Sequence, residues 1–88
     1  MKGIDIKLLR AFVTLAEQGS YRRASQLLFL TQPALSKQIK MLEILIGGPL
    51  FTRGRHGAML TEPGREIFLK ANELLKTHAD FLNYAKKL

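Results

Sequence analysis

The run Gly47-Gly48-Pro49 divides this chain into two kinds of pattern, and no other feature limits the fold as much. Glycine costs a helix backbone entropy and proline has no amide hydrogen to continue one, so no helix crosses this point. Before the break, apolar residues recur every three or four positions, as on one face of an α-helix. After it come two short strand-like runs, then helical periodicity again.

Asp5 is placed to cap a first helix that carries Ile6, Leu9, Phe12, Val13 and Ala16 at helical spacing, and Gly19 ends it. Ser20 caps a short second helix through about Leu28, with Ala24, Leu27 and Leu28 expected on its inner side. Phe29 and Leu30 make a turn. Thr31 then caps a third helix to about Ile46, with Pro33 in the first turn, where a missing amide hydrogen costs little. Beyond the break, LFTR and AMLT read as two strands joined by GRHG, whose glycines suit a tight hairpin. Thr61, Glu62 and Pro63 open a last helix of roughly 26 residues, about 39 Å long at the usual rise per residue.

This order predicts a mainly α fold: a winged helix-turn-helix of three helices and a two-stranded β wing, followed by a long linker helix. The expected division is residues 1–61 for the winged helix-turn-helix and 62–88 for the linker or dimerisation helix. A chain of 88 residues supports one small core of this kind and leaves little room for a deep catalytic cleft. It has no cysteine, so neither disulfides nor a thiolate zinc site can hold it together. No apolar run approaches a membrane span, and MKGIDIKLLR contains no signal-peptide core, so the expected location is the cytoplasm, with no membrane partner.

The net charge of +7 and pI near 10.2 point to a polyanion as partner. Between Ser20 and Thr61 six basic residues, Arg22, Arg23, Lys37, Lys40, Arg53 and Arg55, face a single acidic one, Glu43. On a helical wheel of the third helix, Ile39, Leu42 and Ile46 fall within about 40° of Leu35 and form one inward stripe. Pro33, Ser36, Lys37 and Lys40 project from the other side, and Gln32 sits at the end that would point toward bases. Amide, hydroxyl and ammonium groups along one helix edge can read base edges in a major groove and meet phosphates. Arg22 and Arg23 begin the preceding helix, within reach of the phosphate backbone that such a helix crosses.

Catalytic chemistry finds no footing. The carboxylates are scattered, His56 and His78 stand on a hairpin tip and a helix seam, and HExxH, a nucleophile elbow and GxxxxGK[ST] are all missing from the sequence. The reading is therefore no enzyme, no metal site and no cofactor. In the last helix, Ile67, Ala71, Leu74, His78, Phe81, Ala85 and Leu88 alternate steps of four and three, and Phe68, Leu75 and Leu82 repeat every seven beside them. A stripe this long exceeds what a small core can cover, which predicts a homodimer through Phe68, Ala71, Leu75, His78 and Leu82. A second function class stays open: a winged-helix protein-interaction module without sequence-specific DNA binding, for which Ile44, Leu45 and the apolar last helix speak.

The stretches LLRAFVTLAEQGSYRRASQLL, TQPALSKQIKMLE, GGPLFTR and LT together resemble the N-terminal domain of LysR-type transcriptional regulators, over nearly the whole chain. The resemblance implies sequence-specific binding to double-stranded promoter DNA as a dimer on an inverted repeat, with the recognition helix, about 32–46, in the major groove. It makes Thr31, Gln32, Pro33, Ser36 and Lys37 the groove-facing set, with Arg53 of the wing on the DNA backbone. Arg55 stands where the family more often has an arginine one position away, and it is preferred to His56 as a minor-groove or phosphate contact because arginine keeps its charge. Ser25 replaces the second alanine of the family's packed pair. Members also carry a larger effector-binding domain after the linker helix; none falls within these residues, so a DNA-binding fragment without a small-molecule site is expected.

Overall fold

Four helices each begin where a short polar side chain takes up an otherwise unpartnered amide. The computed structural model describes residues 3–54 and 57–88. In it Asp5 accepts from the Lys7 amide at 2.8 Å, Ser20 from Arg23 at 3.2 Å, Thr31 from Ala34 at 3.2 Å and Thr61 from Gly64 at 3.0 Å. These caps open α1 (Ile6–Gln18), α2 (Tyr21–Leu27), α3 (Gln32–Ile46) and α4 (Glu62–Lys86), with β1 (Phe51–Gly54) and β2 (Gly57–Leu60) between the last two. All four are the caps read from the sequence, each worth about 1 kcal/mol.

The core gathers around α1, which packs against α2, α3 and α4. Phe12 is its centre: its ring meets Phe51 of β1 edge-on at 5.4 Å and Phe68 of α4 at 6.4 Å, so one side chain ties three elements. Leu15, Leu35, Leu42 and Leu50 fill the space around it and are fully buried. The inward stripe of α3 holds for Leu35, Ile39 and Leu42, while Ile46 packs at the edge of the core.

Leu27 departs from expectation: it is 58% exposed. The inner side of α2 is instead Tyr21, Ala24, Ser25 and Leu28, spaced three and four apart, and Leu27 lies roughly 110° from the middle of that face. Ser25 is buried without an energetic penalty because its hydroxyl donates to the Arg22 carbonyl at 2.8 Å.

The strands form one antiparallel pair with Phe51 opposite Leu60 and Gly54 opposite Gly57, in the register that LFTR and AMLT imply but one pair closer to the hairpin tip. Leu50, facing Thr61 at the base of the hairpin, falls outside the strand because its amide is engaged elsewhere. Its amide donates to the Glu43 carboxylate at 2.7 Å and its carbonyl accepts from Thr61 at 3.0 Å. The hairpin is fastened to the α1–α2 junction, where the Ala58 amide donates to the Gly19 carbonyl at 3.1 Å. Gly57, at φ 101°, lies so close to that carbonyl that a β-carbon would strike it. A two-stranded ribbon is marginal alone, and this fastening makes it part of the domain.

The two halves of α4 have different surroundings. Ile67, Phe68, Ala71 and Leu75 rest on the core, whereas every residue from Ala79 onward is exposed. The described residues measure 48 × 28 × 20 Å, the long axis reflecting a helix that outruns the body.

Candidate nucleic-acid interface

The face of interest is built where α3 begins. Thr31 ends an extended segment and Pro33 stands in the first turn, so the helix starts abruptly and presents its first residues at the surface. Gln32, Pro33, Lys37 and Lys40 are exposed, and Ser36 is half-buried. Gln32, Pro33 and Ser36 line one open cleft of about 370 Å³ together with Tyr21 from α2 and Gly54 and Gly57 from the wing. Three elements meet there.

The lysines part company around the helix. Lys40 lines a neighbouring cleft of about 270 Å³ on the wing side, with Tyr21, Ser36, Ile39, Glu43 and Phe51. Lys37 lies on the other edge of α3, in a groove of about 340 Å³ that it shares with Asp5, Lys7 and Met41. The polar edge of Gln32 and Ser36 is thus flanked by an ammonium group on each side. Amide, hydroxyl and ammonium groups supply both donors and acceptors toward a partner rich in oxygen and nitrogen.

Arg22 and Arg23 are exposed in the first turn of α2. Thr31 is exposed too, with its hydroxyl accepting from the Ala34 amide as a cap. Arg53 sits in β1 opposite Ala58, with its side chain outside the described set, and Arg55 and His56 lie outside the described residues. Of the five positions read as dimer contacts, Ala71 is only 3% exposed and Phe68 faces Phe12, so both serve the core of their own chain. Leu75 and His78 are half-buried, and Leu82 is exposed at 45%.

Two residues escaped the sequence reading. Tyr21 follows the cap Ser20 and lines both clefts beside Ser36; a large aromatic with a polar tip directly after a cap was the available signal. Glu43 seemed a lone acidic residue on a basic surface, and nothing local in sequence links it to amides seven and eight residues onward. Among the described residues no group of three or more His, Cys, Asp or Glu side chains could hold a metal, and no helix is long and apolar enough to cross a membrane.

Known proteins share both the pattern and the geometry. The profile of bacterial regulatory helix-turn-helix proteins of the lysR family matches residues 6–65. The uncharacterized HTH-type transcriptional regulator YdcI of Escherichia coli is 47% identical over 72 residues, 82% of this chain and 24% of that protein. The HTH-type transcriptional regulator DgdR of Burkholderia cepacia is 40% identical over 77 residues, 88% of this chain and 26% of that protein. The chain therefore spans about a quarter of the length of these curated relatives. Among solved structures, the BenM DNA-binding domain in complex with catB site 1 DNA is similar with a TM-score of 0.91 and 31% identity, covering 96% of this chain and 93% of that one. DarR of Vibrio fischeri in complex with DNA is similar with a TM-score of 0.91 and 26% identity over 98% of this chain and 30% of that one. By sequence and by fold alike, the chain belongs to the lysR family of bacterial regulatory helix-turn-helix proteins.

Proposed function

We propose that this chain binds double-stranded DNA as the reading unit of a bacterial transcription regulator, acting in the cytoplasm and without catalysis of its own. Residues 1–61 form the reading domain and 62–88 the helix that joins two copies. The observation that carries the proposal is the cleft that gathers Gln32, Pro33 and Ser36 with the wing glycines Gly54 and Gly57, flanked by Lys37 and Lys40. In this reading α3 enters the major groove with Gln32 and Ser36 toward base edges and Pro33 toward a thymine methyl. Thr31 and Lys37 complete the groove-facing set and Lys40, Arg22 and Arg23 meet the backbone, while Arg53 and Arg55 bring the wing onto phosphate or into the minor groove.

Dimerisation through the exposed half of α4 is supported by an apolar surface of Phe81, Leu82 and Tyr84 where the helix has left the core, continued by the half-exposed Leu74. Two copies related by a two-fold axis read an inverted repeat. That BenM and DarR were solved on DNA supports the same reading. A second reading draws on Ile44, which is 71% exposed near the half-exposed Met41 on α3, an apolar spot that suits a protein partner.

Selection from a pool of randomised duplexes at two salt concentrations tests both. An enriched inverted repeat, bound less tightly as salt rises, is the expected result. Binding that is salt-sensitive yet unselective refutes the role of Gln32 and Ser36, and no binding at either salt gives first place to the protein-interaction reading.

A further inference from the structure

A carboxylate on a surface meant for a polyanion weakens binding, so its presence there calls for a structural role that offsets the repulsion. Glu43 is the only acidic residue between Ser20 and Thr61, and it lines the cleft between α3 and β1 beside Lys40. One of its oxygens, Oε2, accepts from two successive amides, Leu50 at 2.7 Å and Phe51 at 3.3 Å. Its backbone carbonyl accepts from Gly47 at 2.8 Å and Gly48 at 3.0 Å. The same residue thus holds both ends of the break: its main chain closes α3, and its side chain seizes the first residues of the wing. Between those two grips run only Ile44 to Pro49, including two glycines that would otherwise let the wing swing.

The Leu50 and Phe51 side chains are buried, so the wing cannot rotate about this point without breaking those bonds or exposing core. Beyond Leu50, the Thr61 amide donates to the Leu50 carbonyl at 3.0 Å and the Thr61 hydroxyl to the Pro49 carbonyl at 2.9 Å, carrying the constraint to the start of α4. We infer that Glu43 is a positioning residue for DNA binding: its carboxylate sets the wing at the angle to the recognition helix at which both reach one duplex. The inference rests on the DNA-binding reading. It gives the long acceptor side chain beside the recognition edge a role, since a single oxygen accepting two amides at once requires such a side chain at this position.

The test compares Glu43→Gln, Glu43→Ala and Glu43→Asp in the whole chain. Amide exchange at Leu50 and Phe51 without DNA reads the grip itself. Duplex affinity against salt, with a hydroxyl-radical footprint, reads its consequence. Gln keeps an acceptor of the same reach, so exchange and footprint stay as in the parent, and removal of one negative charge leaves duplex affinity equal or tighter. Ala has no acceptor and Asp is one methylene too short, so exchange quickens in both. Affinity then falls about tenfold, and the salt slope shrinks by roughly one for each phosphate contact the wing gives up. The footprint loses its flank and keeps its centre.

If Ala does not fold, Asp carries the same prediction with charge retained. A parental footprint and salt slope in a folded Ala or Asp variant overturns the inference, as does a Gln variant that loses the flank. A parent chain that binds no duplex instead overturns the DNA-binding reading, and the exchange data still report the grip separately.

Discussion

Four glycines allow the cost of the tight wing attachment to be separated into its parts by alanine substitution. Gly48 has open space around its α-carbon and an ordinary φ, so Gly48→Ala should change stability by less than about 0.5 kcal/mol. Gly47 also has open space but sits at φ 102°, where a β-carbon strains the backbone; Gly47→Ala should cost about 1–2 kcal/mol. Gly64 has an ordinary helical φ, yet its β-carbon would run into the Leu50 carbonyl, which already accepts from Thr61. The gain of about 0.5–1 kcal/mol from alanine in a helix is outweighed there by a backbone that must move. Gly57 combines both problems: φ 101° and a collision with the Gly19 carbonyl that holds Ala58. Strain of about 1–2 kcal/mol and a lost hydrogen bond of about 1 kcal/mol bring Gly57→Ala to roughly 2–3 kcal/mol. At about 5 °C per kcal/mol for a domain of this size, the Tm should fall by roughly 10–15 °C for Gly57→Ala, 5–10 °C for Gly47→Ala and hardly at all for Gly48→Ala. Circular dichroism melts at one fixed protein concentration provide the comparison, because association would otherwise shift Tm. A Gly57→Ala protein that melts within 3 °C of Gly48→Ala, a margin well under the ~1 kcal/mol of one hydrogen bond, would refute the idea that the wing is locked against the α1–α2 junction.

Other consequences are checked more briefly. Gln32→Ala and Ser36→Ala should weaken binding to a selected duplex by about tenfold or more while leaving random duplex nearly unaffected, whereas Arg53→Ala and Arg55→Ala should weaken both and flatten the salt dependence; equal losses on both duplexes for all four would contradict that division of roles. Leu82→Glu should shift the chain toward monomer in sedimentation equilibrium with little change in the fold, since Leu82 is exposed and carries none of the core. A dimer as tight as the parent's would move the interface off α4.

Most of the architecture was legible because its signals are local. A cap acts within three residues, so Asp5, Ser20, Thr31 and Thr61 could each be read beside the helix they open. What escaped was set by partners distant in sequence. The strand bounds moved one pair toward the hairpin tip, with the register unchanged, because the Leu50 amide answers to Glu43 and not to the opposite strand. Leu27 was misplaced because seven residues of helix give too few repeats to fix which side faces inward. In the site, Gln32 and Ser36 stood out by periodicity, but Tyr21 became visible only when α2, α3 and the wing were seen to enclose one cleft.

The stripe along α4 shows a limit of a different kind. Periodicity says that Phe68, Ala71, Leu75 and Leu82 share one side of a helix, yet it cannot say which neighbour each one meets. The extent of the core decides that. It reaches Phe68 and Ala71 through Phe12 and the rest of α1, loosens at Leu75 and His78, and has ended by Ala79. The first half of the stripe therefore fixes the direction in which α4 leaves the body, and the second half is the surface that the proposed dimer would use. In a dimer built this way, the separation of two recognition helices depends on residues that never touch the partner. A cavity at Phe68 would tilt α4 and change the preferred half-site spacing, whereas Leu82→Glu would abolish pairing and leave the binding of a single half-site intact.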